Sequence, residues 1–265
     1  MPDMGRRSVL GRAFDILAAF VPGESRLSLT EIARRTGLPL ATTHRMVNEL
    51  VRLGGLEREE GGTYRIGVRL WEIGSLAPIR GGLRELAMPF MEDLYEATHE
   101  NIQLAVMAGT EAMILEKISG RQSVHIVTRV GGRLPLHATG VGKVLLAHAS
   151  PALLEAVLAM PLERMASRTI TDADTLRLDL ALVRSRGWSA TRDEMTEGAM
   201  SVGAPVVGPE QHVVAALSVV VDSRTGDPER LAPPVRTAAR GLSRQLVDRW
   251  DRIVPTTGDL ALPSR

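Results

Sequence analysis

A glycine-rich segment at residues 137–143 has the composition of an anion-binding loop. Gly140 and Gly142 lie in it, and the apolar stretch that follows predicts a helix over about 140–149. Glycines let the backbone approach a ligand closely, and the first amides of a helix have no partner inside it. Together with the positive end of the helix dipole, these amides can hold a carboxylate. Tight packing of a strand against a helix is the alternative use of the two glycines, and the sequence leaves it open.

Enzymatic chemistry is disfavoured by the residues around this segment. A phosphate-binding loop of the Walker type needs Gly where His137 stands and Ser or Thr where Val144 stands. Ser201 and Ser218 lack the Gly-x-Ser-x-Gly context of a hydrolase nucleophile. The histidines are scattered, and a metal site would need His125 and His137 to converge with a carboxylate. We therefore expect no catalytic residues, no metal and no cofactor.

The opening part of the chain combines three helical patterns with a strand hairpin. Ser28 and Glu31 form a capping box, which predicts the start of the second helix. Gly37 is a natural C-cap for that helix, and it leaves a tight turn before the third. Two short strands are predicted at 56–59 and 63–66. This order is that of a winged helix-turn-helix, an all-α type of domain with a small wing.

The third helix of this unit carries side chains suited to reading DNA. A recognition helix reads base edges with its N-terminal residues, and Arg, Asn and Thr are suitable readers. A small helical domain with an ordinary solvated face is the alternative. The candidate readers are Thr42, Thr43, His44, Arg45 and Asn48. Candidate phosphate contacts are Arg34, Arg35, Tyr64 and Arg65, with Arg6 and Arg7 as an arm that reaches an adjacent groove.

A short apolar helix is predicted at residues 68–77, between two blocks of different pattern. Its apolar residues lie on more than one face, so it must pack on the second domain or on its twin from another chain. We favour the twin, with Leu70 and Trp71 in the intersubunit contact.

The rest of the chain alternates strand and helix patterns, which indicates an α+β domain around an antiparallel sheet. The strands are predicted at 101–108, 112–118, 123–130, 188–193, 200–207 and 212–222. Helices are predicted near 84–97, 140–149, 151 onward, 172–186 and 233–250. The predicted boundaries are 1–67 for the winged helix-turn-helix, 68–83 for a dimerising linker helix, 84–253 for the α+β domain and 254–265 for a disordered tail.

Composition excludes several classes of protein. The 32 basic and 31 acidic residues nearly cancel, so the net charge gives no indication of the partner. Without any cysteine, a disulfide framework, a thiol nucleophile and a cysteine-based zinc site are excluded. No apolar run reaches the roughly 18 residues of a membrane span. We expect a cytoplasmic protein that has no membrane partner.

Several motifs in order along the chain resemble the IclR family of bacterial transcriptional regulators. The resemblance covers residues 8–250 and is most specific in the segment 137–143. It implies a homodimer or a dimer of dimers, with a GAF-like domain that binds a small effector. The motifs are Leu29-Thr30-Glu31-Ile32-Ala33, Thr43-His44-Arg45, Tyr64-Arg65-Ile66-Gly67, the 137–143 segment, Arg186-Gly187-Trp188, Glu194 with Gly198, Ala204-Pro205-Val206 and Ala215-Ala216-Leu217-Ser218-Val219.

The same resemblance implies an effector pocket at the glycine-rich segment. Ser201 stands where members often carry a cysteine, and Thr191 stands where the best-known members have an acidic residue. Losing that negative charge favours a less polar or larger organic acid. The implied effector contacts are the amides of Gly140 and Val141, the side chains of Thr191, Ser201 and Ser218 opposite, and an apolar wall of Ile126 and Leu134.

The expected function is that of a ligand-responsive, DNA-binding transcriptional regulator. We expect a repressor of a catabolic operon that binds a pseudo-palindromic operator and senses a small carboxylate. The alternative is a metabolite-binding interaction module without sequence-specific DNA binding. A steep salt dependence of duplex binding would separate the two.

Overall fold

The computed structural model of the chain describes residues 8–21, 24–75, 78–120, 123–126 and 128–250. The chain falls into two compact units, an N-terminal unit of residues 1–77 and a C-terminal unit of residues 78–265. The predictions made for Arg6, Arg7 and the tail 254–265 lie outside the described residues.

Three helices form the body of the N-terminal unit: α1 (Val9–Ala18), α2 (Leu29–Thr36) and α3 (Leu40–Arg52). The predicted capping box is present, because the Ser28 hydroxyl accepts from the Glu31 amide while the Ser28 amide donates to the Glu31 carboxylate. Gly37 ends α2 in the left-handed conformation, with a φ of 67°. These local signals set the sharp turn between α2 and α3.

The wing has one strand more than the sequence predicted. Strands β2 (Leu56–Arg58) and β3 (Thr63–Ile66) form the expected hairpin, and β1 (Leu27–Ser28) pairs with the other edge of β3. A two-residue strand is too short to leave a periodic pattern in the sequence. The helix α4 (Val68–Ser75) follows the wing within the same unit.

The C-terminal unit contains a six-stranded antiparallel sheet with the strand order β6-β5-β4-β9-β8-β7. The two central strands, β4 and β9, are far apart in sequence and pair with each other. The strands are β4 (Asn101–Ala108), β5 (Glu111–Ile118), β6 (Arg133–Pro135), β7 (Ser189–Arg192), β8 (Ala199–Val207) and β9 (Val213–Asp222).

Two hydrophobic clusters cover the sheet. One includes residues of α5 (Pro78–Thr98) and α9 (Pro228–Asp248), and the other includes residues of α6 (Gly140–Ala147), α7 (Pro151–Leu158) and α8 (Ala173–Arg186). Helices on the sheet give the α+β domain that the strand and helix patterns predicted. Helices α5 and α9 begin at Pro78 and Pro228, earlier than predicted, since a proline is tolerated in the first turn of a helix.

The strand predicted at 123–130 is wrong, since none of its described residues joins the sheet. Side chains of the sheet hold this segment instead. Asn101 donates to the Val124 carbonyl at 2.8 Å, while Gln103 donates to the Thr128 hydroxyl at 2.7 Å and Lys117 to the Thr128 carbonyl at 3.0 Å. The short strand β6 takes the place beside β5. Apolar alternation alone could not distinguish a strand from a segment tied down by side chains.

Candidate DNA interface and ligand cavity

Helix α3 presents a polar face to solvent. His44, Arg45 and Asn48 are exposed, and Thr42 is half-buried beside them. The Asn48 amide nitrogen lies 3.2 Å from Nε2 of His44, so these two side chains orient each other. Arg45 has no carboxylate partner among the described residues. Its guanidinium is therefore available for an external acceptor.

Thr43 was predicted as a base reader, and the structure corrects this. Its side chain is 0% exposed, and its hydroxyl donates to the Pro39 carbonyl at 3.1 Å. Thr43 shares the i, i+3, i+4 spacing of the buried Met46 and Val47, which places it on the apolar face of α3. The spacing in the sequence predicts a buried side chain at this position, whereas the residue type alone suggested a contact with DNA.

The four predicted phosphate contacts occupy different environments. Arg34 is exposed and has no carboxylate partner among the described residues. Arg35 donates to the Ala19 carbonyl and pairs with Glu24. Arg65 pairs across the wing with Glu57 at 2.6 Å. The hydrogen bond from the Val68 amide, and after it the bond from Arg65, lower the pKa of the Glu57 carboxyl.

Tyr64 also requires a correction. Its side chain is 4% exposed and belongs to the hydrophobic core of the N-terminal unit, so it does not present a surface to a phosphate. Arg58, at the end of β2, is an exposed cation that the sequence reasoning missed. It has no carboxylate partner within the described part of the chain. Arg58 lies between Glu57 and Glu59 in sequence, so an ion pair with a neighbouring glutamate could be expected. In the structure those glutamates pair with other arginines, and this leaves Arg58 without one.

In the C-terminal unit, a small cavity of about 40 Å³ lies at the N-terminus of α6. We refer to it as the α6 cavity. Among the residues that the structure describes, no charged side chain lines it, and the polarity of this described lining comes from hydroxyls and one amide. Its polar lining consists of Gln103, Thr128, Thr139, Thr191, Thr196 and Ser201, and its apolar lining of Ile126, Leu134, Met195, Ala199, Met200 and Val220, with Gly140 at the helix end.

Five of the seven predicted effector residues line this cavity: Ile126, Leu134, Gly140, Thr191 and Ser201. Val141 and Ser218 do not. The Val141 side chain is buried in the core beneath the cavity, which leaves only its amide for the predicted role. Ser218 is fully buried on β9, opposite Gln103 and Gly203.

The first turn of α6 is open at its amides. Thr139 caps the helix, since its hydroxyl accepts from the Gly142 amide at 3.1 Å and donates to the Pro135 carbonyl at 3.0 Å. Among the described residues, the amides of Gly140 and Val141 have no acceptor, as expected for the first positions of a helix. Two unbonded donors therefore remain at the positive end of the helix dipole.

Two hydroxyls opposite this helix end are also unused. Thr191 and Ser201 are both buried, and neither hydroxyl has a hydrogen-bond partner among the described residues. Neither oxygen is among the fully enclosed polar atoms without a partner, so each is accessible from the cavity and can bond to water or to a bound molecule. Their strands are adjacent, and Thr191 is paired directly with Ser201.

The two glycines of this segment serve close packing as well. A Cβ on Gly140 would lie 2.5 Å from the Ser201 hydroxyl, and a Cβ on Gly142 would lie 2.6 Å from the Leu136 carbonyl oxygen. Gly142 is thus required by the backbone beneath it. Gly140 is required because a larger residue would collide with Ser201 in the cavity wall. The same missing side chain leaves the Gly140 amide accessible to a ligand.

The histidines do not form a metal site within the described residues, where no group of three potential ligands occurs. His137 has a structural partner, because its Nε2 lies 2.9 Å from the Glu163 carbonyl oxygen. In the same described part of the chain, no helix is long and apolar enough to cross a membrane.

Comparison with known proteins identifies the family. The family model for the bacterial transcriptional regulator IclR C-terminal domain matches residues 79–244, and that for the IclR helix-turn-helix domain matches residues 9–60. This chain belongs to the IclR family. The family consists of transcriptional regulators rather than enzymes, and the chain is a ligand-responsive DNA-binding regulator. This assignment favours the regulator over a metabolite-binding interaction module without sequence-specific DNA binding.

Individual relatives agree over nearly the whole chain. HTH-type transcriptional regulator BhcR of Paracoccus denitrificans is 34% identical over 94% of this chain and 91% of its own length. An IclR homologue from Microbacterium hydrocarbonoxydans, solved in complex with 4-hydroxybenzoate, is 37% identical with a TM-score of 0.85, covering 90% of this chain and 99% of that one. The IclR protein of Thermotoga maritima is 28% identical with a TM-score of 0.72, covering 89% and 98%. These similarities confirm the two-domain architecture.

Proposed function

We propose that this IclR-family regulator represses a catabolic operon by binding a pseudo-palindromic operator, and that a small organic acid in the α6 cavity controls that binding. One observation carries the proposal. Two backbone amides of α6 without acceptors and the hydroxyls of Thr191 and Ser201, which have no hydrogen-bond partner in the described structure, lie at the same cavity. The role as a repressor is further supported by a relative, the transcriptional repressor IclR of Escherichia coli, which is 28% identical over 82% of this chain.

Helix α3 is the part of the molecule that we assign to the major groove. Arg45 and Asn48 are exposed side chains able to contact base edges, and Thr42 and His44 stand beside them. Arg34 and Arg58 are exposed cations without carboxylate partners in the described structure, which suits them to phosphates. Arg35 and Arg65 are paired internally, so they would have to exchange a carboxylate for a phosphate.

The effector that we propose is a carboxylate on a mainly apolar body, such as a hydroxybenzoate. The cavity of about 40 Å³ is below the roughly 300–1,000 Å³ of typical small-molecule sites, so an aromatic acid would require the flexible Met195 and Met200 side chains in its lining to move. The amides of Gly140 and Val141 would donate hydrogen bonds to the carboxylate, and the Ile126 and Leu134 side chains would cover the apolar body. The relative that binds 4-hydroxybenzoate makes this compound the first probe to use.

We propose that the operator-binding species is a dimer or a dimer of dimers, in which the N-terminal units contact each other. Trp71 on α4 is 73% exposed and Leu70 is half-buried beside it. Phe14 on α1, in the same unit, is also exposed. Apolar side chains of this size lose contact with water when a second copy covers them. Two copies would match the two half-sites of a pseudo-palindrome.

Selection from a random duplex library tests the DNA-binding part of this proposal. The selected sequences should contain two related half-sites, and their affinity should fall steeply as the salt concentration rises. Trp71→Ala should shift the dimer towards monomer in sedimentation and weaken binding to the selected duplex. Selection of no preferred sequence, or tight binding of a palindrome by a protein that sediments as a monomer, would contradict the proposal.

A further inference from the structure

Behind the α6 cavity lies a buried ion-pair cluster that does not line it. The Lys143 ammonium is 1% exposed and sits 2.8 Å from Asp179 Oδ2 and 2.7 Å from Glu194 Oε2. A second contact of 2.8 Å joins it to the other oxygen of Glu194. These three residues come from α6, α8 and the loop of residues 193–198 between β7 and β8, which we call the β7–β8 loop.

Both residues of the Lys143–Glu194 contact are close in sequence to residues that line the cavity. Lys143 is in the first turns of α6, whose first residue, Gly140, lines the cavity. Glu194 immediately precedes Met195 and Thr196, which line the opposite side. The ion pair therefore joins two walls of the cavity from outside it.

Several hydrogen bonds of the β7–β8 loop come from a different direction. The Thr169 hydroxyl donates to the Glu194 carbonyl at 2.5 Å, and the Arg168 amide donates to the Asp193 carbonyl at 3.0 Å. The Ser167 amide donates to the Glu197 carboxylate. These bonds fasten the loop to residues 167–169, whereas Lys143 fastens it to α6. Met195 of the loop also packs against the hydrophobic cluster that includes α6, and the ion pair adds a polar contact of fixed geometry between the loop and that helix.

Thermodynamic stability alone gives a poor reason for this cluster. Two carboxylates and one ammonium are withdrawn from water, and burial raises the pKa of Glu194 even though Lys143 acts to lower it. Buried ion pairs are often no more stabilising than apolar residues of similar volume, but they have strict geometric requirements. Such a cluster is suited to fixing a position.

We propose that Lys143 is a positioning residue for the effector: its contact with Glu194 holds the β7–β8 loop at the distance from α6 that the effector requires. The inference rests on the proposed function of the α6 cavity. Ligand affinity then depends on a side chain that never touches the ligand. Without the contact, Met195 and Thr196 lose their fixed distance from Gly140.

Hydrogen exchange of the full-length, ligand-free protein tests the positioning directly. Lys143→Met removes the cation and keeps a side chain of similar length, and the amides of residues 193–198 should then exchange about 10- to 100-fold faster, as expected for the loss of a charged hydrogen bond. The matched control is Arg177→Met, which removes the exposed ion pair with Glu155 on the same unit. It should change exchange in the loop by no more than about twofold, because exposed pairs contribute little.

Two further measurements separate positioning from general weakening. Lys143→Arg, which keeps a cation, should recover part of the protection that Lys143→Met removes. The increase should be confined to the loop and the first turn of α6. Unchanged loop exchange in Lys143→Met, or a uniform increase throughout residues 78–250, would overturn the inference.

Titration with 4-hydroxybenzoate links the loop to the ligand. We expect Lys143→Met to weaken its binding about tenfold or more, and Arg177→Met to leave it unchanged. Unchanged affinity in Lys143→Met would show that loop position does not govern binding, and would overturn the inference. If the unmodified protein binds no benzoate, the proposed effector class fails, while the exchange experiment still decides whether Lys143 positions the loop.

Discussion

The exposed face of α3 and the α6 cavity solve the recognition of an anion in opposite ways. The helix face offers a full positive charge on Arg45, in water and without a carboxylate partner in the described structure. The cavity offers two backbone amides and the hydroxyls of Thr191 and Ser201, with no charged side chain in the part of its lining that the structure describes. A charge at the surface costs little to maintain, whereas an unpaired charge in the interior is expensive. In the C-terminal unit, the Lys143 ammonium is set back from the cavity, between the carboxylates of Asp179 and Glu194.

This difference sets what each region can distinguish. A polyanion such as DNA supplies many phosphates, so exposed cations give affinity while a few base contacts give selectivity. A cavity without charge selects a small ligand by shape and by the direction of its donors. We therefore expect a substitution that fills the cavity to abolish effector binding, and single substitutions on α3 to lower DNA affinity by smaller amounts.

The largest effect is expected from filling the cavity. Ser201→Leu places a bulky side chain against Gly140, where a single added Cβ already has only 2.5 Å to the Ser201 hydroxyl. Binding of 4-hydroxybenzoate, measured by calorimetry, should weaken by at least about 100-fold, since overpacking costs about 1–3 kcal/mol in addition to the lost space. Ser185→Leu, at an exposed position on α8, is the matched control and should bind normally.

Thr191→Val covers the case in which Ser201→Leu disturbs the fold. It removes one unused hydroxyl and keeps the shape of the side chain, so affinity should fall about tenfold or less. Equal binding by the unmodified protein and by both cavity variants would place the effector elsewhere.

A smaller effect is expected on α3, where two neighbouring residues give contrasting predictions. Arg45→Ala should weaken binding to the selected operator by about 1–3 kcal/mol and relax its selectivity, because a bidentate base contact is lost. Thr43→Val should leave selectivity unchanged but lower the free energy of unfolding by about 1 kcal/mol, since it loses only the bond to the Pro39 carbonyl. The reverse result, with selectivity following Thr43, would mean that α3 is docked differently.

Much of the N-terminal unit could be predicted from the sequence because its signals are local. Ser28, Glu31 and Gly37 act within one or two turns, and each has the predicted structural role. Thr43 and Tyr64 were misplaced because a residue type suited to DNA was weighed above a helical or strand position facing the core.

The C-terminal site was harder to predict because its walls come from distant parts of the chain. Gln103 on β4 and Ser201 on β8 meet at one cavity only through the sheet order. The segment 123–130 looked like a strand since nothing local showed that Asn101, Gln103 and Lys117 would tie it down. The partners of Lys143 were likewise not apparent from spacing, because Asp179 and Glu194 follow it by long stretches of chain.

The smallest effect is expected from pH, and its sign differs between buried and exposed carboxylates. Burial raises the pKa of Glu194 above its ordinary 4.5, so the folded protein holds that proton more tightly than the unfolded chain. Its contribution to stability is therefore greatest below pH 4.5 and falls as the pH rises through the raised value. In Glu194→Gln this decrease should be absent from urea unfolding curves measured between acidic and neutral pH.

Asp222 provides the opposite sign as a control. Hydrogen bonds from the Arg224 side chain and amide lower the pKa of Asp222 from 3.8 to about 2. Its contribution is present above pH 3.8 and is lost as the pH falls towards 2. Asp222→Asn should remove that acid-side loss and leave the Glu194 window unchanged. The same pH dependence in both variants would contradict the assignment of opposite signs.

We propose that occupancy of the α6 cavity controls how tightly α3 binds DNA. This can be measured as the affinity of the full-length protein for its selected operator with and without saturating 4-hydroxybenzoate, in the unmodified protein and in Ser201→Leu. We expect the ligand to weaken operator binding by about 5- to 150-fold in the unmodified protein, the range of ordinary coupling between two sites, and to have no effect in Ser201→Leu. Operator affinity that is unchanged by bound ligand, or an equal loss in both proteins, would contradict it.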